Sequence, residues 1–253
     1  MSEGHGRAEH YPGPTHQPIQ SDAGSALHGG EVHAHAAHHP RLQHHFDTME
    51  QQAEASTLGM WTFLVTEILF FGGLFMAYLV YRSQAPSAFQ EASHHLNIFW
   101  GTMNTAILIV SSLTMALGVR AAQTSAPPRT QVMWIGLTML LGAAFLGIKA
   151  IEYTEKFRDH IVPGPYFVWE GLYPKPAEQF YSLYFAMTGL HATHMIIGIP
   201  ILLVLAFLAQ RGAYSRSYYT PVELFGLYWH FIDIIWIFLF PLLYLIDPSV
   251  SRH

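Results

Sequence analysis

Five long apolar stretches follow one another along most of the chain, separated by shorter polar segments. Each has about 20 residues or more, which is enough to cross a ~30 Å hydrocarbon core as a helix. No stretch keeps a polar face for water, and no pattern of short alternating strands indicates a β-barrel. The pattern predicts an all-α polytopic membrane protein, a bundle of five transmembrane helices with spans at about 57–81, 97–119, 132–153, 180–208 and 222–246.

A polar segment precedes the first span. Residues 1–55 are rich in Gly, Pro and His, and ten of the 17 histidines lie between His5 and His45. Such a segment cannot bury enough apolar surface to fold alone, so we predict a largely disordered tail over 1–55 and a membrane domain over 56–253. A His-rich tract could bind a transition metal, and that alternative stays open beside the simpler one of a polar tail. The first 30 residues lack the apolar core of a secretory signal peptide.

The segments between the spans carry turn signals and an uneven distribution of charge. The third connection, about residues 154–179, contains VPGPYFVWEGLYPKP, whose aromatics and prolines predict an ordered cap at the membrane interface. The second and fourth connections contain arginines and no acid, namely Arg120, Arg129, Arg211 and Arg216. Positive residues in short loops favour the cytoplasmic side. We therefore expect a bacterial inner-membrane protein with a cytoplasmic N-terminus and a C-terminus outside.

Composition agrees with a membrane protein and excludes several kinds of site. The chain is 51% hydrophobic and 11% charged, whereas soluble domains have roughly 25% charged residues. It has no cysteine, which excludes disulfides, iron–sulfur clusters and thiolate metal sites. A pI near 6.4 without a basic stripe gives no indication of nucleic-acid binding.

Ionisable residues inside the predicted spans are the candidate functional groups. Such groups cost several kcal/mol at bilayer depth and usually face a bundle interior or a partner. Glu67 lies about nine residues into the first predicted span, ~14 Å along its axis and near the midplane. A lone carboxyl there is expected to stay protonated. Two interpretations remain open: a reactive, proton-responsive acid, or a neutral acid hydrogen-bonded to a neighbouring helix.

Two histidines in the fourth span and a stripe on the fifth form further candidates. His191 and His194 are three residues apart and share a helical face. A metal or haem site would need more ligands or a facing pair, so we favour hydrogen bonds between helices. Glu223, His230 and Asp233 are spaced by seven and three residues and lie on one stripe of the last span. We predict that His230 and Asp233 are buried polar anchors, bonded to each other or to adjacent helices.

Other polar and small residues are predicted to assist packing. Glu152, at the end of the third span, is expected near the interface, and Asn104 with Thr105 is expected to bond across helices. Close helix approach is predicted at five glycines: Gly72, Gly73, Gly136, Gly142 and Gly147.

Five segments together resemble one known family. They are LGMWTFLVTEILFFGGLF, MNTAILIVSS, IKAIEYTEKF, GLHATHMIIG and GLYWHFIDIIWIFLF. The combination of an acid in the first span, HxxH in the fourth and WHFxDxxW in the last is similar to subunit III of the haem–copper oxidase superfamily. The resemblance covers nearly the whole of residues 57–246.

The resemblance implies an accessory helical subunit that packs directly beside oxidase subunit I, in a complex that includes subunit II. It implies no cofactor in this chain, haem and copper in the partner subunits, and bound phospholipid. The family's usual form has seven helices, and this chain resembles the short form that starts at the equivalent of the third, which leaves the usual lipid cleft in doubt. Glu67 matches a family carboxylate that reacts with carbodiimides. Thr66-Glu67 stands where quinol oxidases often have Ser-Asp, which favours the cytochrome c branch.

We therefore expect a non-catalytic subunit III of an aa-type cytochrome c oxidase that supports oxygen reduction and proton uptake by subunit I. A quinol oxidase subunit III, or the related short subunit of a nitric oxide reductase system, is the nearest alternative. An independent proton-coupled transporter is the alternative of another class, since it would also use intramembrane Glu, His and Asp. Against it, the sequence shows no internal repeat and no paired broken helices.

Overall fold

A computed structural model describes residue 43 and residues 45–246. These residues form six α-helices: α1 (Met49–Gln84), α2 (Pro86–His94), α3 (Ile98–Gln123), α4 (Pro128–Arg158), α5 (Pro174–Gln210) and α6 (Thr220–Tyr244). Five of them, all except α2, are long and apolar enough to cross a membrane. The predicted all-α class with five spans is thus confirmed for the described part of the chain.

The helices extend beyond the predicted spans because polar end signals lie outside the apolar windows. Thr48 caps α1, accepting a hydrogen bond of 3.1 Å from the backbone N–H of Gln51, while the Gln51 side chain accepts one of 2.9 Å from the N–H of Asp47. Residues 49–55, predicted as tail, are therefore the first turns of α1. The remainder of the predicted tail, residues 1–42 and 44, lies outside the described residues, as does its proposed metal binding.

Proline is the first or second residue of four helices, and one of these helices was not predicted. Pro86 opens α2, where the sequence had indicated only a turn, and Asn97 then caps α3 by accepting from the N–H groups of Phe99 and Trp100 at 3.0 and 3.4 Å. Proline is favoured in the first helical turn because it has no N–H to leave unpaired there. The α2 helix has nine residues and no apolar length, which is why hydropathy does not reveal it.

The core lies between α3, α4, α5 and α6, while α1 is joined to them along one edge. Helix α3 packs along α4 and α6, α4 packs along α5, and α1 contacts α5 and α6 more sparingly. The buried residues of α1 are Leu64, Phe71 and Tyr78, spaced seven apart, so they form a single seam. The outer surface of the bundle is rich in exposed large apolar side chains, as expected for surface that meets lipid or other membrane helices.

Two side chains close the end of α6. The Tyr78 hydroxyl donates to the carbonyl of Leu242 at 2.6 Å, and the Ser93 hydroxyl donates to the carbonyl of Leu243 at 2.8 Å. Helix ends leave carbonyl groups without intrahelical partners. Donors from α1 and α2 therefore satisfy the last turn of α6.

The connection between α4 and α5 is folded against α2 and α5, as the prediction of an ordered cap expected. The backbone N–H of Val168 donates to the carbonyl of His160 at 3.0 Å. The Trp169 ring lies 4.8 Å from that of His95 and 5.9 Å from that of Tyr181. Aromatic contacts thus hold this connection to the helices beneath it.

Close approach occurs at only one of the five glycines predicted for it. An added Cβ would meet no atom within 4 Å at Gly72, Gly73, Gly136 and Gly147. At Gly142 it would lie 2.9 Å from the Trp229 indole, and at Gly198, which was not predicted, 3.0 Å from the same ring. Trp229 is fully buried and donates from Nε1 to the Ser111 hydroxyl at 3.0 Å. The two glycines of α4 and α5 therefore make room for one tryptophan of α6.

Candidate intramembrane polar sites

A buried lysine and glutamate form the most connected polar centre of the bundle. The Lys149 ammonium donates to Glu152 Oε2 at 3.0 Å, to the Tyr244 hydroxyl at 2.9 Å and to the Tyr184 hydroxyl at 3.2 Å. Both tyrosine hydroxyls donate in turn to Glu152 Oε1, Tyr184 at 2.8 Å and Tyr244 through a short hydrogen bond. Each tyrosine thus accepts from the cation and donates to the anion. We call these four residues the Lys149 centre.

The Lys149 centre gives Glu152 partners that the sequence analysis did not predict and supplies residues that it missed. The side chain of Glu152 is only 1% exposed and that of Lys149 only 3%, whereas the expected position of Glu152 near the interface stays a prediction. The signal was present, since a Lys and a Glu three residues apart inside an apolar span share one helical face. Tyr184 and Tyr244 carried no comparable signal, because tyrosines occur in four of the five predicted spans.

His191 lies beside the Lys149 centre without hydrogen-bonding across helices. Its ring centroid is 5.2 Å from that of Phe145 and 5.1 Å from that of Trp236. Both ring nitrogens are buried without a hydrogen-bond partner among the described residues. The expected interhelical hydrogen bond is therefore replaced by aromatic packing. The Lys149 ammonium also lies near this indole, 5.0 Å from the centroid of the Trp236 ring.

His194 faces a different helix and meets Glu67. Its Nε2 is 3.2 Å from Glu67 Oε2, an ion-pair distance without hydrogen-bond alignment. Its Nδ1 lies 2.9 Å from the carbonyl of Leu190, so Nδ1 carries the hydrogen and Nε2 faces the acid. The pair therefore places an acid of α1 beside an imidazole of α5.

The structure places Glu67 at the centre of its helix, although not at the distance predicted from the span. Because α1 begins at Met49, Glu67 lies 18 residues from its start and 17 from its end at Gln84, ~27 Å along the axis instead of ~14 Å. The midplane position inferred from the sequence stays a prediction. Phe71, one turn further on, packs its ring 5.6 Å from that of His194.

The stripe on α6 faces α3 rather than pairing within itself. Gln123 donates from Nε2 to Glu223 Oε1 at 3.2 Å, and the Ser112 hydroxyl lies 2.6 Å from His230 Nδ1. His230 is thus anchored to an adjacent helix, one of the two arrangements expected for it. Asp233 is buried, and Ser112 of α3 is the polar side chain beside its carboxyl.

Asn104 and Thr105 behave differently from each other. Thr105 accepts a hydrogen bond of 3.1 Å from Trp236 Nε1, which is the expected bond between helices. Asn104 is fully buried, and both its side-chain oxygen and nitrogen lack a partner in the part of the chain that the structure describes. The predicted cross-helix bond therefore belongs to Thr105 alone.

These polar residues do not converge on a metal-binding arrangement. Among the described residues, no group of three or more His, Cys, Asp and Glu side chains is placed to hold a metal ion. Each histidine within the spans has its own surroundings: aromatic rings for His191, a carboxyl for His194 and a hydroxyl for His230. What the arrangement can do chemically is bind helices together and hold single protons.

Comparison with known proteins identifies the family. The family model for Cytochrome c oxidase subunit III matches residues 42–247. The chain is 34% identical over 229 residues to cytochrome c oxidase subunit 3 of Synechocystis sp., covering 90% of this chain and 85% of the relative. It is 33% identical to cytochrome c oxidase subunit 3 of Corynebacterium diphtheriae, over 76% of this chain and 88% of the relative.

A quinol oxidase relative is nearly as similar. The chain is 30% identical to cytochrome bo(3) ubiquinol oxidase subunit 3 of Pseudomonas aeruginosa, over 85% of this chain and 96% of the relative. These relatives are named as oxidase subunits, which supports the subunit interpretation over an independent transporter. The chain therefore belongs to the cytochrome c oxidase subunit III family and is subunit III of a terminal respiratory oxidase, a membrane-bound oxidoreductase complex.

Proposed function

We propose that this chain supports oxygen reduction and proton uptake by subunit I of an aa-type cytochrome c oxidase without carrying a redox centre of its own. The observation that carries this proposal is how completely the hydrogen-bond donors of Lys149 are occupied within this chain. The Lys149 ammonium has three hydrogen-bond acceptors, all from this chain, which uses its full donor capacity. A group so completely occupied stabilises a scaffold and is not available to bind a cofactor.

The cofactors of the complex are assigned to its other subunits. A haem iron is held by axial side chains such as His, Met, Cys or Tyr, and each of the three histidines within the spans is already engaged or enclosed by aromatic rings. We therefore assign haem and copper to the partner subunits, with subunit I in direct contact and subunit II in the same assembly. Membrane phospholipid is the ligand we assign to the exposed apolar faces of this chain.

A role in proton uptake is supported by the Glu67–His194 pair. The pair lies at the middle of α1, and the two side chains are 16% and 12% exposed, so they are not sealed as the Lys149 centre is. An acid and an imidazole that share one proton can bind or release it with small rearrangement. We propose that this pair assists subunit I and is not an obligatory step of proton transfer.

The cytochrome c branch and the membrane orientation are parts of the same proposal. Thr66-Glu67 favours cytochrome c over quinol as the electron donor, whereas the relatives include both kinds of oxidase. The arginines beside the ends of α3 and α5 favour a cytoplasmic N-terminus and an outside C-terminus in the bacterial inner membrane.

Separation of the subunits tests the proposal. The purified complex is depleted of this chain, and visible spectra, copper content, oxygen consumption and proton uptake are measured for both fractions. We expect no Soret band and no stoichiometric copper in the separated chain, while the depleted complex keeps its haem and still reduces oxygen with slower proton uptake. Stoichiometric haem in the separated chain would overturn the assignment.

The same preparation distinguishes the two branches. Reduced cytochrome c and a reduced quinol are offered to the intact complex as alternative donors, with oxygen consumption as the readout. We expect turnover with cytochrome c. Turnover with quinol alone would place the chain in the quinol oxidase branch and leave its assignment to subunit III intact.

A further inference from the structure

Tyr228 of α6 contacts the Glu67–His194 pair at its imidazole. The Tyr228 hydroxyl donates to the backbone carbonyl of His194 at 3.0 Å, and its ring centroid lies 6.3 Å from that of the imidazole. Tyr228 is 7% exposed, and its phenol is within electrostatic reach of the Glu67 carboxyl. This tyrosine therefore meets His194 both at the backbone and at the side chain.

Gly198 allows α6 to come close enough for these contacts. It lies one turn after His194 on α5, and an added Cβ there would be 3.4 Å from Tyr228 Cε1 and 3.0 Å from the Trp229 ring. A carbonyl oxygen has two lone pairs, so the carbonyl of His194 can accept from the Tyr228 hydroxyl in addition to a bond within its helix. The hydroxyl thus anchors α6 to the residue of α5 that faces the acid.

Three contacts hold the imidazole, and each restricts it differently. The carbonyl of Leu190 lies 2.9 Å from Nδ1, which turns Nε2 toward Glu67. The Phe71 ring contacts the imidazole from α1 with 5.6 Å between centroids, and Tyr228 contacts it from α6. Aromatic rings at these distances pack against one another and limit the tilt of the imidazole plane. Without Tyr228, the imidazole would lose its neighbour on α6.

Other ionisable groups of α5 and α6 have surroundings of their own. His191, one turn earlier on α5, is within electrostatic reach of the pair's imidazole, but its ring is enclosed by aromatic side chains. On α6, His230 and Asp233 face Ser112 of α3, and Glu223 accepts from a glutamine of α3. Tyr228 is thus the ionisable side chain of α6 that meets the pair, among those that the structure describes.

We propose that Tyr228 is a positioning residue of the Glu67–His194 pair, which holds the imidazole so that Nε2 stays beside the carboxyl. The inference rests on the proposed function, because that pair is the group assigned to assist proton uptake. A tyrosine with a structural role alone would stabilise the bundle and leave the chemistry of Glu67 unchanged. Tyr153 offers a matched comparison, since its hydroxyl also joins two helices, at 2.6 Å from Thr188 Oγ1.

The pH profile of carbodiimide labelling tests the proposal in the intact complex. Because the reagent reacts with the protonated carboxyl, the profile reports how the imidazole influences Glu67. Labelling of Glu67 is followed by peptide mass spectrometry in the wild type and in His194→Leu, Tyr228→Leu and Tyr153→Leu. We expect Tyr228→Leu to shift the midpoint pH in the same direction as His194→Leu and by about half as much or more. Tyr153→Leu should keep the wild-type profile.

Tyr228→Phe separates the contribution of the ring from that of the hydroxyl. It fills the same space, so we expect it to be retained in the complex and to show a smaller shift in the same direction. A wild-type profile in Tyr228→Leu, or in His194→Leu, would overturn the proposal. If Tyr228→Leu is not retained in the complex, a wild-type profile in Tyr228→Phe overturns it instead.

Proton uptake by the same variants separates this inference from the proposed function. If His194→Leu and Tyr228→Leu both shift the labelling profile and neither slows proton uptake, Tyr228 is a positioning residue and the role of the pair in proton uptake fails. If His194→Leu slows proton uptake while Tyr228→Leu keeps the wild-type labelling profile and uptake, the inference about Tyr228 fails and the proposed function stands.

Discussion

The Lys149 centre and the Glu67–His194 pair each join an acid to a base inside the membrane spans, but they differ in how completely they are closed. In the Lys149 centre, two tyrosine hydroxyls bridge the ion pair, so that both charged groups have several partners. The Glu67–His194 pair has one contact of 3.2 Å and lies where α1 meets α5 along a narrow seam. The comparison indicates that the first site fixes three helices together, whereas the second links two helices through a single contact.

A substitution that breaks the Lys149 centre should have the largest effect on stability. Lys149→Met leaves a buried Glu152 without its cation, and removal of one member of a buried ion pair typically costs ~3–5 kcal/mol. We expect a strong decrease in the free energy of unfolding and a low yield of the subunit. Denaturant titration in detergent measures the free energy of unfolding. Lys175→Met, at an exposed position in the first turn of α5, is the matched control and should be neutral.

A double variant sharpens that result. Lys149→Met combined with Glu152→Leu replaces both charges by apolar groups, which is often neutral or stabilising for a buried pair. We expect the double variant to be more stable than Lys149→Met alone. Equal destabilisation of the two would show that the ion pair does not account for the effect.

A substitution at Gly142, which packs against Trp229, should have an effect of intermediate size on stability. Gly142→Val places side-chain atoms where a Cβ already lies 2.9 Å from the indole, and overpacking of this kind costs ~1–3 kcal/mol. Gly147→Val, on the same helix with open space around it, is the control. The difference in thermal stability between the two variants measures the packing of α4 against α6; no difference would mean that Trp229 can move aside.

The Glu67–His194 pair should give the smallest effect on stability. Glu67→Gln keeps a polar group of the same size, and a hydrogen bond between membrane helices is worth ~0.6 kcal/mol on average. We expect assembly and oxygen reduction to remain close to those of the wild type. A near-total loss of turnover with normal assembly would instead place Glu67 on an obligatory proton path.

Chemical labelling distinguishes the same two sites in the wild-type complex. A hydrophobic carbodiimide is expected to label Glu67, whose carboxyl is partly accessible from the membrane, and to spare Glu152, whose carboxyl is enclosed by three donors. Peptide mass spectrometry gives the site of modification. Modification of Glu155 or Asp159, the acids at the end of α4, in preference to Glu67 would contradict the special reactivity expected of that acid.

The membrane helices were predictable from the sequence because apolar length alone requires them. The same measure could not reveal α2, whose nine residues are too short and too polar for a hydropathy window. Mean hydropathy also gave no sign of Lys149, because one cation hardly changes the average over the span around it. The contacts of individual side chains were least predictable from the sequence. Spacing placed His191 and His194 on one face of the helix, but in the fold His191 packs against aromatic rings and His194 faces Glu67.

The sealing of the last turn of α6 has a consequence for the order of biogenesis. The donors, Tyr78 and Ser93, are synthesised long before the acceptors at Leu242 and Leu243, and Tyr244 completes the Lys149 centre only afterwards. Until the ribosome has delivered these final residues, the early helices hold hydroxyl groups and an ammonium that still await their partners. The bundle therefore closes as a late event, and a nascent chain interrupted before residue 242 lacks the acceptors of the Tyr78 and Ser93 hydroxyls.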